Sequence, residues 1–182
     1  QKTAYEIPKR DWSSDVCSSD LILAARAKGQ SSWQVVRRHA LRQDSGGAGR
    51  FRGGLGAEKV VEPLCNVSVG TQMERVNCPP WGLEGGHSGM GNKVTMRVEG
   101  QQREFVNGKV FNQRLKIGDS FTLYAGGGGG FGRPEERDAA RVAYDVKHGY
   151  VSNQVAREVY KVACTEDGML DESETRRLRA AD

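Results

Sequence analysis

The stretch that most narrows what this chain can fold into is residues 124–138, YAGGGGGFGRPEERD, where Gly126, Gly127, Gly128, Gly129 and Gly130 run toward a proline and two carboxylates. A phosphate loop of the Walker type needs G-x-x-x-x-G-K followed by Ser or Thr, because the lysine reaches the terminal phosphates and the hydroxyl holds Mg²⁺. Here Gly132 is followed by Arg133, Pro134, Glu135 and Glu136. Pro134 removes one amide donor, and the two glutamates already answer the positive end of a helix and repel phosphate. A flexible linker is usually diluted with serine, whereas both flanks of this run are strongly patterned. What is left is a backbone that lies so close to another surface that a side chain would clash, so these five glycines are expected in close backbone contact.

Before the glycines the chain alternates with a period of two. EKVVEPL at 58–64 and CNVSVGTQM at 65–73 are apolar, β-branched runs, and the second sets Val67 and Val69 against Ser68 and Gly70 as a half-buried strand does. KVTMRV at 93–98, QREFV at 102–106 and KVFNQRLKI at 109–117 are separated by turns at Glu99-Gly100 and Asn107-Gly108. Asn-Gly between apolar runs is the strongest short hairpin signal, so the segments on either side of it are expected to pair. GDSFTLYA at 118–125 adds a strand with Phe121 and Leu123 on one face, and Gly and Pro punctuate long loops at 44–56 and 78–92.

After the glycines the period changes to 3.6. Pro134 at the first helical position, carboxylates in the first turn and Gly149 past the end predict a helix over 134–149. Ser152 caps a second over 153–162, with Val155, Val159 and Val162 on one face, and Asp171 with Glu174 resembles a capping box for a third. The expected fold is α+β: an antiparallel strand-rich core with long Gly-rich loops, followed by two or three C-terminal helices.

The first residues stand apart. RDWSSDVCSSDL at 10–21 reads as the frame translation of a short-read sequencing adapter, and QKTAYEI at 1–7 as its companion primer, with Pro8 and Lys9 in the place of a sample index. Residues 1–21 are therefore set aside as non-biological and without a fold of their own, residues 22–36 as a junction, and residues 37–182 carry the domain. Setting 1–21 aside removes Lys2, Lys9 and Arg10 from 27 basic residues and Glu6, Asp11, Asp15 and Asp20 from 23 acidic ones, leaving 24 against 19, a modest +5. That balance gives no footprint for nucleic acid; RFRGG at 50–54 is a single element, not a repeated disordered tract. Cys65, Cys78 and Cys164 remain, with no C-x-x-C pair and no histidine at zinc-finger spacing, and are read as reduced thiols in a cytoplasmic protein. LILAA at 21–25 is too short to cross a membrane. No metal site is expected.

Five residues stand out as candidates for a substrate or subunit face. Asp44, Arg50 and Arg52 lie in DSGGAGRFRGGLG, where arginines held by a pinned loop can grip carboxylate or phosphate bidentately. Equally, Asp44 and Ser45 can satisfy turn amides while the arginines form salt bridges. Arg75, in MERVNCPPWG, points into the same region or makes a structural ion pair. His87, in GGHSG, could serve as acid, base or ligand, or as a loop histidine without chemistry. His148 suits the end of its helix. No catalytic residue is assignable from spacing.

Four segments in order, RQDSGGAGRFRGGLG (42–56), RVNCPPWGLEGGHSG (75–89), LKIGDSFTLYAGGGGGFGRPEERDAARVAYDVKHGYVS (115–152) and AREVYKV (156–162), resemble the C-terminal part of the hydantoinase B/oxoprolinase family. Arg133 departs from that family's pattern, which often has Asp there. The resemblance implies a fragment of the B subunit of an ATP-dependent cyclic-amide hydrolase that opens a hydantoin or 5-oxoproline ring, inactive alone. It implies a hydantoinase A-type partner subunit carrying ATP and Mg²⁺, a small cyclic-amide substrate, and no cofactor bound here. ATP would phosphorylate the amide oxygen so that water can attack. The alternative is a non-catalytic assembly module that clamps the ATP-binding A subunit.

Overall fold

A computed structural model describes residues 33–105 and 107–180 of the chain; residues 1–21, most of the 22–36 junction and Val106 lie outside the described residues. Seven strands come first: β1 Gln34–Leu41, β2 Ala57–Pro63, β3 Val67–Gln72, β4 Lys93–Val98, β5 Gln101–Phe105, β6 Lys109–Leu115 and β7 Ser120–Tyr124. Five form an antiparallel sheet in the order β1-β2-β7-β4-β5, while β3 and β6 pair as a separate ribbon. The junction residues Gln34 and Val35 already belong to β1, paired with Pro63 and Glu62.

Period-two patterning explains the first core. Val61, Val94, Met96 and Phe121 point from the large sheet, and Val69, Val110 and Leu115 from the ribbon, into one buried cluster. Two sheets facing each other in this way are a sandwich, each burying one face. β1 is one of the two edge strands, mostly exposed, with Arg37 paired to Glu62 and Arg38 to Glu58 across to β2. Charges on an edge discourage pairing with another chain.

The Asn107-Gly108 expectation needs correction. A turn forms there, with Gly108 N donating to Phe105 O at 3.0 Å, but β5 stays in the large sheet and β6 crosses to pair with β3. Val110 and Leu115 reach buried positions only against β3, so core packing overrides the local hairpin signal. The tight hairpin is the one before it: β4 and β5 are joined at Glu99 and Gly100, with φ of 52° and 80°, the left-handed pair that a two-residue hairpin turn demands. Asp119, 5% exposed, locks that turn by accepting 2.8 Å bonds from the amides of Glu99 and Lys116. Those two donors hold its carboxyl below the usual carboxylate range.

Three α-helices follow among the described residues: α1 Ala139–Lys147, α2 Asn153–Glu158 and α3 Glu172–Ala180, with a two-residue pair of strands, β8 Ala163–Cys164 and β9 Leu170–Asp171, before α3. The architecture is α+β. The helix expected over 134–149 is broken: Pro134–Glu136 is one 3₁₀ turn, Arg137 returns to extended backbone, and α1 begins after Asp138, whose side chain accepts from Ala140 N. An Asp cap competes better for the helix start than a proline alone. Gly149, at φ 71°, ends α1, and Ser152 caps α2 through Val155 N. Val142, Val151, Ala156, Tyr160 and Val162 form a second core, joined by Ala48 from the first glycine loop.

Candidate functional site

Three segments converge between the two cores, residues 42–56, 78–92 and 125–133, and they meet backbone to backbone. Gly47 N donates to Gly128 O at 2.8 Å and Gly128 N to Gly54 O at 2.9 Å, which threads the glycine run through the first loop. Gly127 N donates to Met90 O at 3.1 Å and Gly130 N to His87 O at 2.9 Å, which ties it to the second. The two loops also bond each other, His87 N to Ala48 O at 2.7 Å and Met90 N to Ser45 O at 2.8 Å. Asn92 Oδ1 receives the amide of Gly126 at 2.6 Å. Four of the five amides in the run therefore donate within the chain, whereas a phosphate cradle keeps its amides turned toward the ligand.

The approach leaves no room for side chains. A Cβ on Gly127 would stand 1.9 Å from Ser45 O, on Gly129 1.9 Å from Trp81 O, on Gly130 2.1 Å from Ala48 O and on Gly126 2.6 Å from Met90 O. Gly128 is the least crowded of the run, its nearest neighbour, the backbone nitrogen of Gly54, standing 3.3 Å from a Cβ, a contact that needs only a small shift.

The candidate residues divide by what they touch. Asp44, held at φ 57°, accepts the amide of Ser152 at 2.8 Å and so fastens the first loop to the start of α2. Ser45, fully buried, receives Gly56 N at 2.9 Å and donates to Arg42 O, which occupies its hydroxyl in turn geometry. Arg52 reaches Asp145 on α1 with Nε at 3.1 Å and Nη2 at 3.4 Å, and Arg137 reaches the same carboxylate at 2.9 Å. With side chains 16%, 6% and 11% exposed, Arg52, Asp145 and Arg137 form a buried Arg-Asp-Arg triad that fixes the glycine loops on the helical core. Tyr160 is buried beside it, and burial raises its phenol above the usual range.

Arg50, Arg75 and His87 face outward. Arg50 lies with its guanidinium 5.7 Å from the Phe51 ring centroid, while its carbonyl receives Arg137 Nη1 at 3.2 Å. Arg75, exposed and at φ 54°, uses its carbonyl to receive Asn92 N at 3.2 Å. His87 contributes its backbone to the glycine cluster and leaves its imidazole in solvent. Asp44, Arg50, Arg52 and His87 thus share one cluster, and Arg75 stands where the second loop enters it.

Two features of this region were not singled out from the sequence. Asp145 carried a signal: it stands three residues after Val142 on the buried face of α1, where a carboxylate demands a partner. The other is a ridge of exposed apolar side chains on the outer edge of the cluster: Phe51 at 54%, Trp81 at 69%, Leu83 at 57% and Phe131 at 48% exposure. Phe131 bridges to both Phe51 and Leu83, and its ring centroid lies 6.3 Å from that of Phe51. Among the described residues no three His, Cys, Asp or Glu side chains converge to hold a metal, and no helix is long and apolar enough to cross a membrane.

Comparison with known proteins agrees with this geometry. The family model described as hydantoinase B/oxoprolinase matches residues 33–134, which contain all three glycine segments. An uncharacterised protein of Methanocaldococcus jannaschii is 34% identical over 148 residues, 80% of this chain and 26% of that protein. Caprolactamase subunit beta of Pseudomonas jessenii is 33% identical over 153 residues, 81% of this chain and 26% of that one. The crystal structure of the ATP-dependent caprolactamase from the same organism superposes with a TM-score of 0.70 at 28% identity, covering 87% of this chain and 28% of that chain. The chain spans about a quarter of the length of the curated relatives it matches. By the span of the family match and by the fold that carries it, the chain belongs to the hydantoinase B/oxoprolinase family.

Proposed function

We propose that the chain is a portion of the B subunit of an ATP-dependent cyclic-amide hydrolase, one that opens a hydantoin, a 5-oxoproline or a related lactam ring. The observation that carries this reading is that the family match runs through the whole interleaved glycine cluster, the most sequence-demanding part of the fold. The relative named caprolactamase subunit beta and the structure titled as an ATP-dependent caprolactamase support ring opening driven by ATP in an assembly of more than one subunit. In this reading ATP and Mg²⁺ sit on an A-type partner and this portion supplies a rigid scaffold, which accords with four of the five amides of the glycine run being bonded within the chain. On that scaffold Arg50, Arg75 and His87 present the chemistry that reaches substrate or partner, while Asp44 and Arg52 hold the loop that carries them.

A second reading, an assembly module that clamps the A-type subunit, is favoured by the Phe51, Trp81, Leu83 and Phe131 ridge beside Arg50. Aromatic and arginine side chains on a preorganised surface are the composition of interface hot spots. Arg75→Ala and Trp81→Ala in the full-length B subunit, co-purified with its A-type partner, separate the two. Loss of ATP-dependent ring opening with an intact complex for Arg75→Ala supports a site. Dissociation of the Trp81→Ala complex with Arg75→Ala unaffected supports assembly, and an intact, fully active complex with both variants refutes both roles.

A further inference from the structure

The sandwich is lopsided. Five strands of the large sheet face a ribbon of two, and among the described residues the core between them draws on β2, β4 and β7, with Phe105 of β5 packed at its margin, and on nothing from β1. The ribbon therefore lies over the middle of the sheet, and the inner face continues past it on both flanks.

The two flanks differ in chemistry. Directly paired residues of an antiparallel sheet share a face. Arg103 beside Met96 and Gln101 beside Val98 thus point inward on β5, and both are polar and exposed. On β1 the pairing turns Val36, beside Val61, and Leu41, beside Ala57, to the same inner face, with His39 between them. Val36 and Leu41 stand 37% and 55% exposed. At the start of the strand Trp33 and Leu64, joined by a 2.7 Å bond from Leu64 N to Trp33 O, are 40% and 50% exposed. The β5 flank suits water, whereas the β1 flank sets apolar side chains where a sandwich buries them.

Two facts say what covers it. The family match begins at Trp33, one residue before β1, and the chain spans only 26% of each of two curated relatives. We propose that the polypeptide immediately upstream of β1 in the full-length subunit folds back as an extended segment over the inner face of β1. It sets apolar side chains on Val36 and Leu41 and continues the second layer of the sandwich beside the ribbon. Residues 1–21, read above as non-biological, stand in the place of that segment. Running the length of β1, eight residues at about 3.3 Å each, takes a segment of about 26 Å lying about 10 Å above the strand. A short covalent connection holds it at high effective concentration, an advantage that a separate partner or a second copy lacks. The inference rests on the chain being a portion of a longer subunit, and not on the ring-opening reading.

Cysteine accessibility in the full-length subunit, purified without its A-type partner, tests this. Leu41→Cys and Arg38→Cys lie on opposite faces of β1, and the positions are similarly open in this structure, Leu41 at 55% and the Arg38 side chain at 61%. Maleimide labelling is read by peptide mass mapping, which keeps the exposed native Cys65 and Cys78 apart. Leu41→Cys is expected to react at least tenfold more slowly than Arg38→Cys, and Leu41→p-benzoylphenylalanine to cross-link to a peptide that precedes residue 33 in the same subunit. Equal labelling rates, or a cross-link to a second copy or to any other part of the subunit, overturns the proposal. Neither readout needs turnover, so a subunit that opens no cyclic amide refutes the ring-opening reading and leaves this one to stand or fall on the labelling.

Discussion

Gly127→Ala tests the packing of the glycine cluster at its tightest point. The added Cβ would sit 1.9 Å from Ser45 O, 2.3 Å from Ser45 C and 2.7 Å from Gly46 N, all backbone atoms. Ordinary contact begins at 3.4 Å, so the two segments must separate by well over an ångström, and neither can do so by turning a side chain. Overpacking of this kind costs about 1–3 kcal/mol. The displacement also stretches bonds that Ser45, Gly47 and Gly128 make across the junction, Met90 N to Ser45 O and Gly47 N to Gly128 O, each 2.8 Å. Losing two such bonds adds about 1 kcal/mol each. The expected loss is about 3–5 kcal/mol, a large share of the roughly 5–15 kcal/mol that holds a domain together. Two controls calibrate it. Gly128→Ala meets its nearest neighbour at 3.3 Å, and Gly54→Ala meets nothing within 4 Å and has no positive φ. Gly54→Ala is expected to be neutral or to stabilise by about 0.4–1 kcal/mol through the unfolded state. Urea unfolding of the three variants, followed by circular dichroism and tryptophan fluorescence, reads the series. If Gly127→Ala loses less than about 1 kcal/mol, or ranks with Gly54→Ala, the close-packing argument is wrong.

The remaining predictions concern the groups around the cluster. Asp145→Asn leaves the guanidinium groups of Arg52 and Arg137, 16% and 11% exposed, without their shared carboxylate, and is expected to cost about 3–5 kcal/mol in urea unfolding. A loss near zero would show that the triad is solvated. Asp119 is held below its usual range by the amides of Lys116 and Glu99, so its contribution is fully present above the unfolded value of about 3.9 and disappears as pH falls through the lower folded value. Stability measured from pH 6 down to pH 2 is therefore expected to fall below about pH 4, and Asp119→Asn to be less stable at neutral pH with a flatter acid limb. An unchanged limb in the variant assigns the acid sensitivity to other carboxylates.

How much of this was legible in the sequence follows from how local each signal is. The strands at 58–64, 93–98 and 118–125, the Ser152 cap and the Gly149 stop rest on neighbours within a few residues, and the structure has them where the pattern placed them. The pairing of β6 with β3 rests on residues about forty apart in sequence, and a local Asn-Gly signal carries nothing about a partner that distant. The same limit applies to α1, whose start at Asp138 rather than Pro134 depends on Arg137 leaving the helical path to reach Asp145. In the site, the demand for glycine at 126–130 was readable because no other residue permits such an approach, but the surfaces it meets, Ser45, Trp81 and Ala48, were not. Arg52 was readable as a gripping side chain; that its partner is Asp145 inside the chain is a tertiary fact.

The central claim is that the glycine run is a close-packed scaffold whose amides are spent inside the protein. Amide hydrogen exchange at Gly127, Gly128 and Gly130, measured with and without Mg·ATP, tests it most directly. Their donors already bond Met90, Gly54 and His87 carbonyls at 3.1, 2.9 and 2.9 Å, so strong protection is expected in the free chain, unchanged by nucleotide. Rapid exchange in the free chain that slows on adding Mg·ATP would contradict the account and return the run to the role of a phosphate cradle.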